Sequence, residues 1–242
     1  MEKLNNCPLI LWINLDRSQQ RRENMEILFK KYNLDNIRIS AVDGNSETFN
    51  NVDFGENKFN SKKKYQYACT MSHLKAIKYF VENIESDNVI IMEDDVSFEF
   101  LDMWKYNIKD VINKKPKNCD VLQLAFNWGN PNYFIEQKSN YVKWRNFYST
   151  LSYLVTKKGA IKLINKLFPN NYNFTNTTKN FHVADVCLYK SVKTFTFKYP
   201  LFTYPDDNDS NIGSNKSMHQ VAKENSKLIY FLTKKSNNVP VL

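Results

Sequence analysis

Glycine is scarce in this 242-residue chain: there are five, at positions 44, 55, 129, 159 and 213, each isolated. Without a glycine cluster there is neither a G-x-G-x-x-G turn nor a G-x-x-x-x-G-K-S/T loop, which excludes a dinucleotide dehydrogenase and a P-loop nucleotidase. The H-E-x-x-H and G-x-S-x-G signatures of common hydrolases are missing too. Cys7, Cys69, Cys119 and Cys187 stand far apart with no C-x-x-C pair. That argues against a zinc ribbon or a disulfide framework and for a reduced, cytoplasmic setting. In such a setting the sequons at Asn173, Asn176, Asn208 and Asn215 carry little meaning. No apolar run approaches the roughly 20 residues of a membrane span. The opening MEKLNNCPLILWINLD has only a short apolar stretch, broken by Asn14 and Asp16, and no small-residue cleavage site, so no signal peptide is expected. Linkers rich in Gly, Ser or Pro are absent, as are internal repeats. The expectation is a single domain over 1–242, with its core at about 9–214 and a tail over 215–242.

Hydrophobic residues make up 42% of the chain and aromatics 14%, enough to fill a substantial core. Lys and Arg number 34 against 25 Asp and Glu, a formal net charge of +9. That surplus favours anionic partners (nucleotides, phosphorylated substrates, nucleic acid, acidic headgroups) without choosing among them. The densest negative charge lies in NVIIMEDDVS, from Asn88 to Ser97. Val89 to Met92 reads as a buried strand delivering Glu93, Asp94 and Asp95 at its carboxyl end, where open α/β sheets bind ligands. Extended backbone would turn Glu93 and Asp95 to one side and Asp94 to the other. Two carboxylates on one side suit a hard divalent cation such as Mn2+ or Mg2+. The bland alternative is a solvated acidic turn.

Leu9 to Leu15 reads as a first strand, followed by a helix with Met25, Leu28, Phe29 and Tyr32 on one face and Asp16 or Ser18 as its cap. Arg17, Arg21 and Arg22 gather at its start, where backbone N–H groups also point outward. This is an anion site unless the arginines are merely solvated. Ile37 to Val42 reads as a second strand ending in Asp43-Gly44. Glu47 to Lys64 has no periodicity and reads as a loop. Ser72 to Ile84 reads as a helix with Leu74, Ile77, Val81 and Ile84 inward, Ser72 near its N-cap and His73 in its first turn.

Beyond the acids, Phe98 to Ile112 reads as a helix. Asp120 to Ala125 and Ser152 to Thr156 read as strands, and Lys158 to Phe168 as an amphipathic helix. Asn170 to Asn180 is a polar loop, and His182 to Val192 a short helix around Asp185. Thr194 to Tyr199 alternates as a half-buried strand with Phe195, Phe197 and Tyr199 on one side. The tail reads as weakly helical from His219 to Leu232.

Carboxylate-held metal beside arginines is equipment for a departing nucleoside diphosphate, because both neutralise charge developing on the leaving phosphate. A sugar transfer then needs only a base for the acceptor hydroxyl. INLDRSQQRR, RISAVDG, ACTMSHLKAI and VIIMEDDVSF, continued by DVLQLA, SYLVTKKGAIKLI, HVADVCLY and PLFTYPDDNDSNI, resemble glycosyltransferase family 25. That family includes bacterial lipooligosaccharide galactosyltransferases and procollagen galactosyltransferases, and the likeness runs from about Leu9 to Ser214. It implies a single-domain α/β GT-A fold with a mixed central sheet flanked by helices, a UDP-sugar donor, Mn2+ and inversion at the anomeric carbon. The implied hexose is galactose, and the implied acceptor is a hydroxyl of a protein, such as a collagen-like hydroxylysine, or of a glycan. Giant DNA viruses carry short relatives, and this Asn- and Lys-rich composition resembles theirs.

Carried over by residue, the resemblance implies that Asn14, Asp16, Arg17 and Arg22 form the nucleotide loop and that Asp43, Ser72, His73 and Asp94 complete the donor site. Glu93 and Asp95 take the metal positions, with a Glu where the family's Asp-X-Asp begins. Asp185 falls at the place of the base, and His219 is a candidate third metal ligand. Two rival readings use the residues differently. Asp16, Asp43, Asp95 and Asp185 would make a two-metal phosphodiesterase for nucleic acid, and Lys62 to Lys64 with Tyr65 and Tyr67 would make an RNA grip. On the transferase reading no nucleic acid partner is expected. Neither acceptor nor oligomeric state is encoded in the motifs.

Overall fold

In a computed structural model, which describes residues 2–46, 61–127, 130–167, 183–205 and 216–235, the first apolar run becomes β1 (Ile10–Asn14), buried at every position. It is apolar throughout because it lies inside the sheet, paired in parallel with β2 (Asn36–Ser40) on one side and β3 (Asn88–Glu93) on the other. The carboxyl ends of these three strands therefore open on one edge. β6 (Ser152–Thr156) runs antiparallel to β3 and to β4 (Val121–Gln123). β4 pairs in parallel with β7 (Thr194–Phe197), whose far side is covered by antiparallel β5 (Tyr141–Lys143). The sheet order is β2-β1-β3-β6-β4-β7-β5. With its flanking helices, this is the mixed α/β architecture that the resemblance implies.

The reversal at β6 matters for the site. It brings the residues before Ser152 back beside the carboxyl end of β3, where the Glu93 N–H donates to the Leu151 carbonyl (3.0 Å). Helix α1 (Gln19–Tyr32) buries Met25 and Phe29, as its spacing predicts, and Leu28 and Tyr32 pack at the rim of the core. Ser18 is its N-cap residue but makes no side-chain cap bond; its carbonyl accepts the Arg22 N–H instead.

Helix α2 (Ser61–Asn83) starts well before Ser72. Ala68 and Met71 are buried with Leu74 and Ile77, so the inward face continues upstream and leaves Ser72 and His73 in mid-helix, not at its first turn. Tyr65 and Tyr67 belong to this helix, whereas residues 47–60 lie outside the described residues. The helix expected over Phe98 to Ile112 is interrupted. Only a 3-10 turn (Leu101–Met103) and α3 (Ile108–Asn113) form. Phe98, Phe100, Trp104 and Ile108 are all buried, and the chain is held extended at Ser97, which bridges to Thr203. The Trp104 Nε1–H donates to the Leu201 carbonyl (2.8 Å).

Short α4 (Pro131–Ile135) and β5 have no periodic signal and were not expected. Helix α5 (Lys157–Leu167) begins directly after β6, and its Lys157 ammonium caps the carboxyl end of α2 through the Phe80, Val81 and Ile84 carbonyls. β7 is buried at Thr194 and Thr196 as well as Phe197, because neighbouring strands and layers cover both its faces. α6 (Ala184–Ser191) carries Asp185, and α7 (Lys216–Lys235) turns the weakly helical tail into a long helix. The polar loop at 170–180 and the stretch 206–215 lie outside the described residues. No described helix is long and apolar enough to cross a membrane.

Candidate active site

The carboxyl ends of β1, β2 and β3 and the middle of α2 enclose a cleft of about 730 Å³, counting its open mouth. The alternation expected of the acidic triplet stops at Glu93, because β3 ends there. Asp94 and Asp95 lie in the turn that follows, and all three acids line the cleft. The Arg21 guanidinium faces both Asp94 (2.8 Å) and Asp95 (3.6 Å). Buried Asn14 donates to the Asp94 carboxylate (2.7 Å), and its own side-chain oxygen accepts from Arg38 (2.9 Å). Glu93 turns the other way, accepting from the Thr150 hydroxyl (2.6 Å) and standing 3.4 Å from His73 Nε2. The other ring nitrogen, Nδ1, meets the Tyr153 hydroxyl (3.1 Å). Burial opposes ionisation of Glu93, but the adjoining His73 and Thr150 bring it below its ordinary value.

Arg17 pairs with Asp43, whose other oxygen accepts the Asn45 N–H (2.9 Å). Partial burial raises the Asp43 carboxyl, and these two partners more than reverse it. Ser72 accepts the Val42 N–H (2.8 Å) and donates to the Ala68 carbonyl (2.7 Å), so it ties the exit of β2 to α2. Of the residues carried over by resemblance, Asn14, Asp16, Arg22, Asp185 and His219 do not line the cleft. Asp16 is largely exposed and bonds Arg38 (2.5 Å) and Ser40 (2.8 Å). Arg22 is exposed and pairs with Glu26 (2.8 Å) one turn along α1. Arg21 therefore holds the place expected for Arg22. Arg17 lies in the turn before α1 and Arg21 in its first turn, and along the helix Arg22 is rotated about 100° away from Arg21.

Asp185, on α6, meets the segment that leads into β6. One oxygen accepts the Ser149 N–H (2.8 Å) and the other the Val186 N–H (2.7 Å). Ser149 has φ 111°, a region that favours glycine and stores about 1–3 kcal/mol of strain. Its surroundings hold it there. The Ser149 carbonyl accepts from Gln123 (2.9 Å) and from the Tyr189 hydroxyl (3.0 Å), and its Oγ meets the Tyr204 hydroxyl (2.9 Å). Tyr204 follows the Ser97–Thr203 bridge, and its ring stacks on His219 at 3.9 Å and 2°. Among the described residues, His219 Nδ1 is buried without a hydrogen-bond partner. Burial pushes the Asp185 carboxyl up against the pull of its two N–H donors, and burial with the charges of Glu93, Asp95 and Asp185 pushes up the Tyr204 hydroxyl. Ser149 and Thr150 belong to no motif, and Tyr153 and Tyr204 fall in segments of the resemblance that assign them no role; the direction of β6 and the Ser97–Thr203 bridge bring all four here.

Among the described residues, one His/Cys/Asp/Glu group has metal-ligating spacing: Cys69, His73 and Glu93, with ligand atoms within 4.8 Å of one another. Asp16, Asp43, Asp95 and Asp185 do not form such a group, because Asp16, Asp43 and Asp185 each answer to different local partners.

Residues 8–178 match the family model described as glycosyltransferase family 25 (LPS biosynthesis protein). A "Glycosyltransferase 25 family member" of Drosophila melanogaster is 27% identical over 171 residues, covering 64% of this chain and 27% of that protein. The chain thus spans about a quarter of the length of this curated relative. A solved glycosyltransferase involved in the glycosylation of the major capsid of PBCV-1 aligns with a TM-score of 0.44 at 9% identity, covering 91% of this chain and 99% of that one. The apo-form glycosyltransferase GlyE of Streptococcus pneumoniae TIGR4 aligns with a TM-score of 0.44 at 11% identity, covering 96% and 64%.

Proposed function

The chain belongs to glycosyltransferase family 25, and from that premise we propose that it is an inverting hexosyltransferase moving galactose from UDP-galactose to a hydroxyl of a protein or glycan. The observation that carries this reading is the pairing of Arg17 and Arg21 with the acids at the carboxyl ends of β1 to β3. A nucleoside diphosphate needs both charge types there: arginines for its phosphates and carboxylates for the divalent cation that accompanies them.

The donor set fits a hard cation, Mn2+ or Mg2+. Glu93 and Asp95, which line the cleft, offer carboxylate oxygens, and the buried Nδ1 of His219, which has no hydrogen-bond partner among the described residues, is a further candidate ligand. When bound, the cation supplies positive charge that offsets the charge gathering on the departing UDP. The remaining work falls to the chain. Arg17 and Arg21 exchange their carboxylate partners for diphosphate oxygens. Asn14, locked between Arg38 and Asp94, keeps the acidic turn in register with β1.

Asp185 takes the proton from the acceptor hydroxyl. Its two N–H donors fix the carboxylate plane, and each oxygen keeps a lone pair for a second hydrogen bond. Burial raises its basicity in the direction a general base requires. An α-linked donor must then give a β-linked product in a single displacement.

The test is incubation with Mn2+ and a panel of UDP-sugars, galactose and glucose first, against collagen-like hydroxylysine peptides and glycans. UDP release and product stereochemistry are read by NMR. UDP-galactose turnover with a β-linked product is expected. An α-linked product would overturn inversion, and cleavage of RNA or DNA in place of UDP release would favour the phosphodiesterase reading.

A further inference from the structure

We propose that Cys69, His73 and Glu93 form a second metal site, selective for a borderline-soft divalent cation such as Zn2+, whose occupation takes Glu93 away from the hard-cation site. Cys69 and His73 are one turn apart on α2 and so present their donors from one face of the helix. His73 Nε2 and Glu93 Oε1 are 3.4 Å apart. Tetrahedral zinc with N and O bonds of about 2.0–2.1 Å needs these atoms about 3.3–3.4 Å apart, so this pair fits without movement. The Cys69 sulfur lies within 4.8 Å of both. A tetrahedral S···N separation is about 3.6 Å, so rotation about the Cys69 side chain has to close at most about 1.2 Å.

The imidazole and the carboxylate are already oriented from behind. The Tyr153 hydroxyl sits on His73 Nδ1 (3.1 Å), which leaves Nε2 for the metal, and the Thr150 hydroxyl holds Glu93 (2.6 Å). All three residues line the cleft, which gives an entry path and an open fourth position. The sulfur sets the selectivity, because a mixed S, N, O donor set suits zinc and not Mg2+ or Mn2+. The site stands on this geometry alone. Its inhibitory consequence rests on the proposed function: a zinc ion on Glu93 draws that carboxylate's charge to itself and sets a second dication beside the hard-cation site, which repels the first.

The full chain, freed of metal and kept reduced without thiols, is titrated with Co2+ as a spectroscopic stand-in for zinc. A thiolate-to-cobalt charge-transfer band saturating at one equivalent and displaced by Zn2+ but not by Mn2+ is expected in the wild type. It should be lost in both Cys69→Ser and Cys69→Ala, while His73→Asn weakens cobalt binding at least tenfold. No saturable band in the wild type, or a band that survives in a folded Cys69 variant, overturns the site. If neither variant folds, the wild-type band and its displacement by Zn2+ but not Mn2+ decide the matter. Thermal stabilisation by UDP with Mn2+ is followed in parallel, and Zn2+ should abolish it in the wild type. A cobalt band without any UDP response refutes the transferase reading alone. A UDP response without a band refutes the zinc site alone.

Discussion

Arg21 and Arg22 are chain neighbours with opposite surroundings. Arg21 faces two carboxylates in the cleft, whereas Arg22 sits in solvent against Glu26. Arg17→Ala and Arg21→Ala should each weaken UDP binding by about ten- to a hundred-fold, the worth of a charge-assisted contact of about 1.5–3 kcal/mol. Arg22→Ala should leave UDP affinity unchanged. Calorimetric titration of the three variants checks this, and equal losses in all three would mean that α1 acts only through its overall charge. Asp185 supplies the second test at this scale. Asp185→Asn should reduce kcat by roughly a hundred-fold or more with UDP affinity retained. The sign of its pH dependence follows from burial. The folded carboxyl titrates above its ordinary value of 3.8, so kcat should fall as pH drops through that raised value. The same shift makes the folded state lose stability as pH rises through the window, because the buried group must ionise. A kcat profile with no acid limb above the ordinary Asp range, or a near-normal kcat in Asp185→Asn, would remove it as the base.

At the element scale, α5 approaches the start of β4 closely at Gly159. Thr156 Oγ1 accepts the Gly159 N–H (3.0 Å) and also donates to the Asp120 carbonyl (3.2 Å), while Lys162 holds the Asp120 carboxylate at 2.7 Å. A Cβ on Gly159 would come within 2.5 Å of the Asp120 carbonyl oxygen. Two effects oppose each other in Gly159→Ala. Helix propensity favours alanine by about 1 kcal/mol, whereas overpacking costs about 1–3 kcal/mol. The clash is with backbone that three groups hold in place, so overpacking should win and stability should drop by up to about 2 kcal/mol in denaturant unfolding. An unchanged or higher stability would mean that α5 can slide on the sheet.

For the molecule as a whole, the C-terminal helix couples stability to the site. α7 docks through Lys223 and Lys227 on Glu99 and through buried Tyr230, whose hydroxyl donates to the Pro200 carbonyl (2.8 Å) and whose ring packs against Phe100 and Tyr199. The same helix delivers His219 onto Tyr204. Tyr230→Ala, a large-to-small change in the core, should cost about 3–4 kcal/mol. Because it loosens the helix that carries His219, it should also reduce the Mn2+-dependent stabilisation by UDP measured by thermal shift. A variant that melts early yet keeps the full UDP response would separate α7 from the donor site.

Local chemistry was enough for the strands and for the acidic turn. The apolar runs at β1, β3 and β6 are dense enough to declare themselves buried, and Glu93 to Asp95 follow one of them without a break, so the strand-end position of the acids could be read from periodicity. The cluster of Arg17, Arg21 and Arg22 at the start of α1 was legible as well, although the motif match favoured Arg22 over Arg21. What the sequence could not supply was the partner of each acid. Thr150 reaches Glu93 from 57 positions away and Ser149 reaches Asp185 from 36, and both meetings depend on β6 running opposite to β3. No periodicity encodes the direction in which a strand enters a sheet. That choice comes from the packing of the whole chain, and here it decides which acid is held low, which is pushed up, and which residues surround them.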